Sequence, residues 1–349
     1  MHIWKSRITV KRVVAGILIL WMIFIIAPKP NNHSGVNPLM KTDGGMPILI
    51  AHGGGNHEFP DNTLEAFYHA YSIDSNVMME TDVNMTKDGV IILSHDTTLD
   101  EKTTLTYAPI IDTNYSDLVS MEIDFGYHND VQPSSNGFNV SGILKPYQTY
   151  LGESVTPLDV SFPEGITPRH DTKFLVTTLE DLIKAFPSNL INVEIKQSGE
   201  IGLESLAKVI ELLDMLDDDY DTYSRIVLAS FHTEVFEQMK NLKKTSHPEL
   251  MISPEQSSVI KFYALQTLGL SLFYFDQVSA LQLPLSSFGL SLSHQAIIRN
   301  AQRKNIAVHY WTIDDPIEMR RLIENGADGI MTNRPSVLKE VIDSYITSS

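Results

Sequence analysis

Three acidic side chains stand inside strongly apolar stretches of this chain, where an unpaired charge is costly. "METDV" places Glu80 and Asp82 two residues apart, and "NVEIK" places Glu194 two residues before Lys196. Residues two apart on a strand point to the same face. Carboxylate oxygens are the ligands that Mg²⁺ and Ca²⁺ prefer, so Glu80, Asp82 and Glu194 would suit either ion if their strands end together.

Two histidines end apolar runs in the same way. His52 follows "ILIA", and His95 follows "IILS". Histidine can donate or accept a proton near neutral pH, whereas a single histidine is more often structural than catalytic. The glycines that begin at Gly53 let backbone or ligand come close to His52. We therefore expect the two histidines to flank the acidic cluster, with room for a ligand beside His52.

Apolar runs typical of strands alternate with amphipathic helical patterns from residue 47 onward, which predicts parallel strands joined by crossover helices. The carboxyl ends of such strands meet at one rim, where barrel enzymes carry their sites. "NMTKDG" leaves no room for a helix between the second and third runs, and nine candidates exceed the eight strands of an α/β barrel. The nine candidate strands are 47–53, 77–83, 90–95, 190–196, 225–231, 249–253, 277–283, 306–312 and 328–332. The six clearest helical patterns start at 62, 178, 204, 233, 293 and 316.

The alternation covers only part of the chain. Residues 97–173 are rich in Thr, Asn, Ser, Pro and Gly but contain several aromatic side chains, which predicts an inserted, irregular subdomain at one end of the barrel. Residues 28–46, rich in Pro, Asn, Gly and Ser, are typical of a linker. The barrel domain would then span residues 47–349.

The N-terminus has the pattern of a targeting segment. Lys5, Arg7, Lys11 and Arg12 precede an apolar run at residues 13–27, and no clear small-x-small cleavage site follows. The pattern favours an uncleaved signal anchor over a cleaved signal peptide, with the basic end cytoplasmic. We therefore expect a single-pass protein of the cell membrane with its catalytic domain outside the cytoplasm. A secreted protein is the alternative.

Charge and composition exclude several classes of partner. The formal net charge of −17 argues against nucleic acid, because an acidic protein repels a polyanion. The chain has no cysteine, which excludes disulfides, thiolate metal sites and cysteine nucleophiles. A hydrophobic content of 43% is ample for a large core.

The ordered set of motifs resembles the glycerophosphodiester phosphodiesterase family, which has a TIM (β/α)8 barrel with an inserted subdomain. The chain carries "AHGGG", "PDNT", "ETDVNMTKDG" and "SHD" in the order of that family, followed by "NVEIK", "VHYWTIDD" and "GADGIMTNRP". The resemblance covers most of residues 47–340. It implies hydrolysis of glycerophosphodiesters to an alcohol and glycerol 3-phosphate, with a divalent metal, Mg²⁺ or Ca²⁺, as cofactor.

Residue roles follow from the same resemblance. His52 and His95 would be the acid/base pair, Glu80, Asp82 and Glu194 the metal ligands, and Lys196 a phosphate contact. Trp311, at the end of its strand, would wall the pocket or belong to the core.

Two positions depart from the family's motifs. Gly53 stands where the family has arginine, which removes a guanidinium that would bind phosphate, and Asp61 stands where it has glutamate. We interpret Gly53 as making room for a substrate that is bulkier near the phosphate.

Three alternatives remain at this stage. A phosphatidylinositol- or lysophospholipid-type phosphodiesterase would share the barrel and the histidines. A catalytically weakened barrel could act as a surface binding module, which the replacements at Gly53 and Asp61 favour and the intact histidines and carboxylates oppose. Finally, the insertion at 97–173 could be the part that binds a partner.

Overall fold

The computed structural model describes residues 2–26, 31, 35–129, 144–287 and 289–347. The strands are β1 (Ile48–Ala51), β2 (Met78–Met85), β3 (Ile91–Leu93), β4 (Tyr127–Asn129), β5 (Leu144–Pro146), β6 (Ile191–Ile195), β7 (Ile226–Ala229), β8 (Met251–Ile252), β9 (Ala280–Leu283), β10 (Ser286–Ser287), β11 (Leu290–Ser291), β12 (Ala307–Tyr310) and β13 (Gly329–Thr332). The helices are α1 (His2–Ile26), α2 (Leu64–Ile73), α3 (Tyr115–Ser120), α4 (Leu179–Ala185), α5 (Gly199–Tyr220), α6 (Thr222–Arg225), α7 (Thr233–Thr245), α8 (Gln256–Thr267), α9 (Gln295–Gln302), α10 (Pro316–Asn325) and α11 (Pro335–Ile346).

Eight parallel strands of the described chain form the barrel, in the order β8, β7, β6, β2, β1, β13, β12, β9. A hydrogen bond of 2.9 Å from the Ser279 amide to the Ile252 carbonyl joins the two ends of this order. The ninth predicted strand is β3, which pairs antiparallel with the end of β2 and lies outside the barrel. The predicted α/β barrel is therefore confirmed, and the short "NMTKDG" junction is a hairpin connection.

Local sequence explains where the surrounding helices begin. The Thr63 hydroxyl accepts a hydrogen bond from the Ala66 amide and caps α2, and Thr178 with Asp181 forms a capping box at α4. All six predicted helices are present. Helix α8 was not among them because its apolar residues lie on both faces, with Phe262 buried and Ile260 half exposed, which blurs the helical periodicity.

The predicted insertion lies over the end of the barrel at which β1 terminates. Its described parts, 97–129 and 144–173, include α3 and the antiparallel pair β4 and β5. The Tyr147 hydroxyl donates a hydrogen bond of 2.6 Å to the Asn56 carbonyl, and the Tyr150 amide donates one of 2.9 Å to the His57 carbonyl. The insertion is thus attached to the loop that follows His52.

Helix α1 contains most of the predicted membrane segment, residues 13–27, of which residue 27 lies outside the described residues. No helix in the described parts of the chain is both long enough and apolar enough to cross a lipid bilayer. The predicted transmembrane segment therefore has no support in this structure.

The segment before β1 closes the barrel at the end opposite the insertion. Leu39 is fully buried in the barrel interior, together with Ile50 and Met331. The Asn37 amide donates a hydrogen bond of 2.7 Å to the Ser279 carbonyl. His309 lies 2.8 Å from the Leu39 carbonyl, and because burial lowers the pKa of His309 to about 4, its ring is neutral and its Nε2–H donates this bond.

The predicted linker, residues 28–46, is therefore not a free connection in its described part, residues 35–46. Residues 28–30 and 32–34 lie outside the described residues. Composition alone suggested a linker because a single buried leucine among Pro, Asn and Gly does not produce a periodic pattern.

We expect Leu39→Ala to lower the free energy of unfolding by about 2 to 4 kcal/mol, because the truncation leaves a cavity in the barrel interior. Urea denaturation would measure the loss. Val36→Ala is the matched control, since Val36 is 92% exposed three residues earlier and its truncation should cost little. Equal effects of the two substitutions would contradict the packing role of Leu39.

Candidate active site

Three carboxylates converge where β2 and β6 run side by side. The parallel register places Asp82 opposite Glu194 and Glu80 opposite Asn192. One carboxylate oxygen from each of Glu80, Asp82 and Glu194 lies within 4.8 Å of the others. The period of two along each strand and the register between the strands together produce the cluster that the spacing predicted.

The cluster has more negative than positive charge. Lys196 Nζ lies 3.0 Å from Glu194 Oε1 and 3.3 Å from Asp82 Oδ1, and His52 Nε2 lies 3.9 Å from Glu80 Oε2. Burial, together with the neighbouring Asp82, raises the pKa of Glu80 to about 8. Burial also raises the pKa of Glu194. Because Lys196 and His52 do not fully offset these carboxylates, the cluster favours the binding of a proton or a cation at Glu80.

This excess of buried carboxylate fits a divalent cation. The donor set consists of oxygen atoms only, which suits Mg²⁺ or Ca²⁺ better than metals that prefer nitrogen or sulfur. Backbone and amide groups orient the ligands: the Gly53 amide donates to Glu80 Oε2 at 2.9 Å, and Asn62 Nδ2 donates to Asp82 Oδ2 at 3.2 Å. Glu80, Asp82 and Glu194 are therefore the residues that could hold such an ion.

Hydrogen bonds determine which ring nitrogen of His52 carries a proton. Asn333 Nδ2 donates to Asp314 Oδ2 at 2.9 Å, which leaves Asn333 Oδ1 facing His52 Nδ1 at 2.8 Å. Since this oxygen can only accept, His52 Nδ1 is the hydrogen-bond donor. The other ring nitrogen, Nε2, faces Glu80. Sequence reasoning missed Asn333 and Asp314, although both follow barrel strands at the same rim, in "TNRP" and "WTIDD".

The second histidine, His95, follows β3 and lies at the same rim. His95 Nδ1 lies 3.1 Å from Asp96 Oδ1. This hydrogen bond, aided by the charge of Asp82, raises the pKa of His95 to about 9 although partial burial opposes the shift. His95 is therefore protonated at neutral pH.

One cavity of about 270 Å³ brings these groups together. Its lining residues are His52, Glu80, Asp82, His95, Asn192, Glu194, Lys196, Phe231, Gln282, Trp311, Thr312 and Met331. Seven of the eight site residues singled out in the sequence are in this set, and Trp311 is a wall of the cavity, with its ring 5.7 Å from that of Phe231.

Gly53 is the site residue that does not line the cavity. Its backbone has φ +55°, which favours glycine, and a Cβ built on it would lie 2.8 Å from Asp61 Cβ. The structure therefore explains Gly53 by backbone conformation and close packing against Asp61. It does not place the glycine as open space beside the substrate.

A (β/α)8 barrel that gathers carboxylates, a lysine and two histidines at the carboxyl ends of its strands has the layout of a barrel enzyme, because such enzymes carry their sites at that rim. Residues 52–337 match the glycerophosphoryl diester phosphodiesterase family, and the chain belongs to that family. It is accordingly a phosphoric diester hydrolase.

Known proteins agree with this assignment. The chain is 24% identical over 318 residues to mouse (Mus musculus) lysophospholipase D GDPD1, covering 85% of this chain and 86% of that protein. It is 24% identical over 315 residues to the probable glycerophosphodiester phosphodiesterase 2 of Mycobacterium tuberculosis, covering 86% of this chain and 96% of that protein. Its fold is similar to that of an Oleispira antarctica phosphodiesterase solved with the product sn-glycerol-3-phosphate, with a TM-score of 0.57, 20% identity and coverage of 85% and 97%.

We expect Glu80→Gln to lower the affinity for Mg²⁺ or Ca²⁺ by tenfold or more, measured by isothermal titration calorimetry. Because the pKa of Glu80 is raised to about 8, the ion must displace a proton, and wild-type affinity should weaken as the pH falls below that value. Glu58→Gln is the control, since Glu58 is also a buried carboxylate but bonds His69 and Ser336 outside the cluster. Equal metal affinity in wild type and Glu80→Gln would exclude Glu80 as a ligand.

Proposed function

We propose that the protein hydrolyses glycerophosphodiesters to an alcohol and glycerol 3-phosphate, with a divalent cation and two histidines as acid and base. The observation that carries this proposal is the single cavity that joins the carboxylate cluster, Lys196, His52 and His95. Membership of the family supports the reaction class. The likeness to a phosphodiesterase solved with sn-glycerol-3-phosphate supports the product.

The charges around the cavity suit a phosphodiester. Glu80, Asp82 and Glu194 would hold the cation, which when bound would offset the phosphate charge and polarise its oxygens. Lys196 lies at the edge of the same cluster and adds a positive charge beside the phosphate position. A substrate anion would therefore find cations in a protein whose net charge is strongly negative.

The two histidines differ in what raises their pKa, and this difference assigns their roles. The pKa of His52 is raised by Glu80 and Asp82 against a larger opposing effect of burial, so loading the carboxylates with a cation would remove the cause of the rise. The rise at His95 comes first from its hydrogen bond to Asp96, which is outside the cluster. We therefore assign His52 as the base and His95 as the acid.

The reaction then proceeds with one bond formed and one broken at phosphorus. His52 Nε2 takes a proton from water as the water oxygen bonds to phosphorus. The bond from phosphorus to the alcohol oxygen breaks, and protonated His95 donates a proton to that oxygen. Asn333 Oδ1 accepts a hydrogen bond from His52 Nδ1–H, so that Nε2 is the nitrogen available to the water.

The purified full chain should hydrolyse glycerophosphocholine, and excess chelator should abolish the reaction until Mg²⁺ or Ca²⁺ is restored. His52→Asn and His95→Asn should each lower kcat by about 100-fold or more, because general acid–base catalysis typically contributes that much. His247→Asn is the control, since His247 bonds Asp214 away from the cavity. Full activity in chelator would refute the role of the cation, and unaltered activity of both histidine variants would refute the mechanism.

The pH profile tests which histidine is the acid. The acid must be protonated, so activity should fall at alkaline pH as His95 loses its proton. Asp96→Ala removes the bond that raises the pKa of His95 from 6.5 towards 9, so the alkaline limb of kcat/KM should move to lower pH by one unit or more. An alkaline limb that stays in place would show that His95 is not the acid.

The location of the chain in the cell stays a prediction from sequence. The basic residues before the apolar run at 13–27 favour export, either with a retained anchor in the cell membrane or as a secreted protein. The intact mass of the chain recovered from cells would separate the two, because a mature form that begins between residues 28 and 40 would show cleavage.

A further inference from the structure

A second cavity adjoins the catalytic cavity. It has a volume of about 280 Å³ and lies between α8 and the chain around β10 and β11. Phe231, Gln282 and Trp311 line both cavities, so these side chains form the boundary between two adjoining spaces. We call the second cavity the α8 groove.

The chemistry of the α8 groove is opposite to that of the catalytic cavity. Its walls carry Val259, Ile260, Tyr263, Leu290 and Leu292 beyond the shared aromatic residues. None of the described residues that line it has a charged side chain. Because nothing there would compensate an ionic group, the groove suits an alkyl chain.

The mouth of the α8 groove has apolar side chains that remain open to solvent. Phe231 is 54% exposed, Ile260 is 51% exposed and Leu290 is 48% exposed. Single exposed apolar residues are common, but three around one groove are typical of a surface that binds a ligand or a partner. A chain that enters between them would bury apolar surface on both sides.

We propose that the α8 groove binds the acyl chain of a lysophospholipid whose phosphodiester lies in the catalytic cavity. This inference rests on the proposed function, and it adds the residues that would recognise the acyl chain. The shared boundary at Phe231 and Trp311 favours this occupant, because an amphiphile has a charged ester next to an alkyl chain, as the charged cavity lies next to the apolar groove. Hydrolysis of the phosphate–alcohol bond would leave the acyl chain on the glycerol phosphate product.

A series of lysophosphatidylcholines tests the groove. The acyl chains should have 6 to 12 carbons, each assayed below its critical micelle concentration with the full chain and a saturating divalent cation. kcat/KM should rise along the series by up to about fourfold for each methylene that becomes buried, and should level off once the groove is full. Glycerophosphocholine, which has no acyl chain, is the reference substrate.

Ile260→Asn should flatten this dependence on chain length, because it places an amide where the chain would pack. The comparison uses the ratio of kcat/KM for the 10-carbon substrate to that for glycerophosphocholine, so that loss of folded protein cancels. Met215→Asn is the matched control, since Met215 is 61% exposed on α5 and lies outside the groove. Its ratio should equal that of the wild type.

The possible outcomes test the acyl-chain site and the proposed hydrolysis independently. Hydrolysis of glycerophosphocholine without any dependence on chain length would overturn the groove and leave the proposed function intact. If no substrate is hydrolysed, the proposed function fails and calorimetry with dodecylphosphocholine decides the groove. Binding that is weakened by Ile260→Asn and not by Met215→Asn would support the acyl site, whereas equal binding by all three proteins would overturn it.

Discussion

The crowding of three carboxylates at the rim of β2 and β6 is the constraint on which the site depends. Glu80, Asp82 and Glu194 repel one another at a largely buried position, where screening by water is reduced. Lys196 and His52 offset only part of that charge, and a protonated Glu80 offsets more. A divalent cation would replace that proton. The site is therefore prepared for cations and, through them, for an anionic substrate.

Much of this site could be predicted because strand geometry transmits sequence spacing directly. The intervals of two residues in "METDV" and "NVEIK" determine which side chains share a face, and parallel pairing brings both faces to one rim. The histidines were predictable for the same reason, since each terminates an apolar strand. The eight barrel strands and the hairpin strand β3 could be predicted because each is a short run of apolar residues.

The remaining features depend on contacts between distant residues. Asn333 and Asp314 are ordinary polar residues after strands, and only their bonds to each other and to His52 give them a role. The α8 groove forms between α8 and the chain around β10 and β11, and no pattern within either segment indicates that the two lie side by side. Gly53 shows the converse. The sequence shows that a glycine replaces the family's arginine, but the reason for a glycine there, a positive φ beside Asp61, is visible only in three dimensions.

The seal at the bottom of the barrel also determines which end of the barrel a substrate can enter. Asn37 is bonded to Ser279, before β9, and Leu39 is bonded to His309, within β12, so residues 37–39 cover one end of the barrel. The catalytic rim is at the other end, across the length of the strands. A substrate would therefore enter and leave by the catalytic rim, past the same side chains in both directions, and the barrel would not act as a passage.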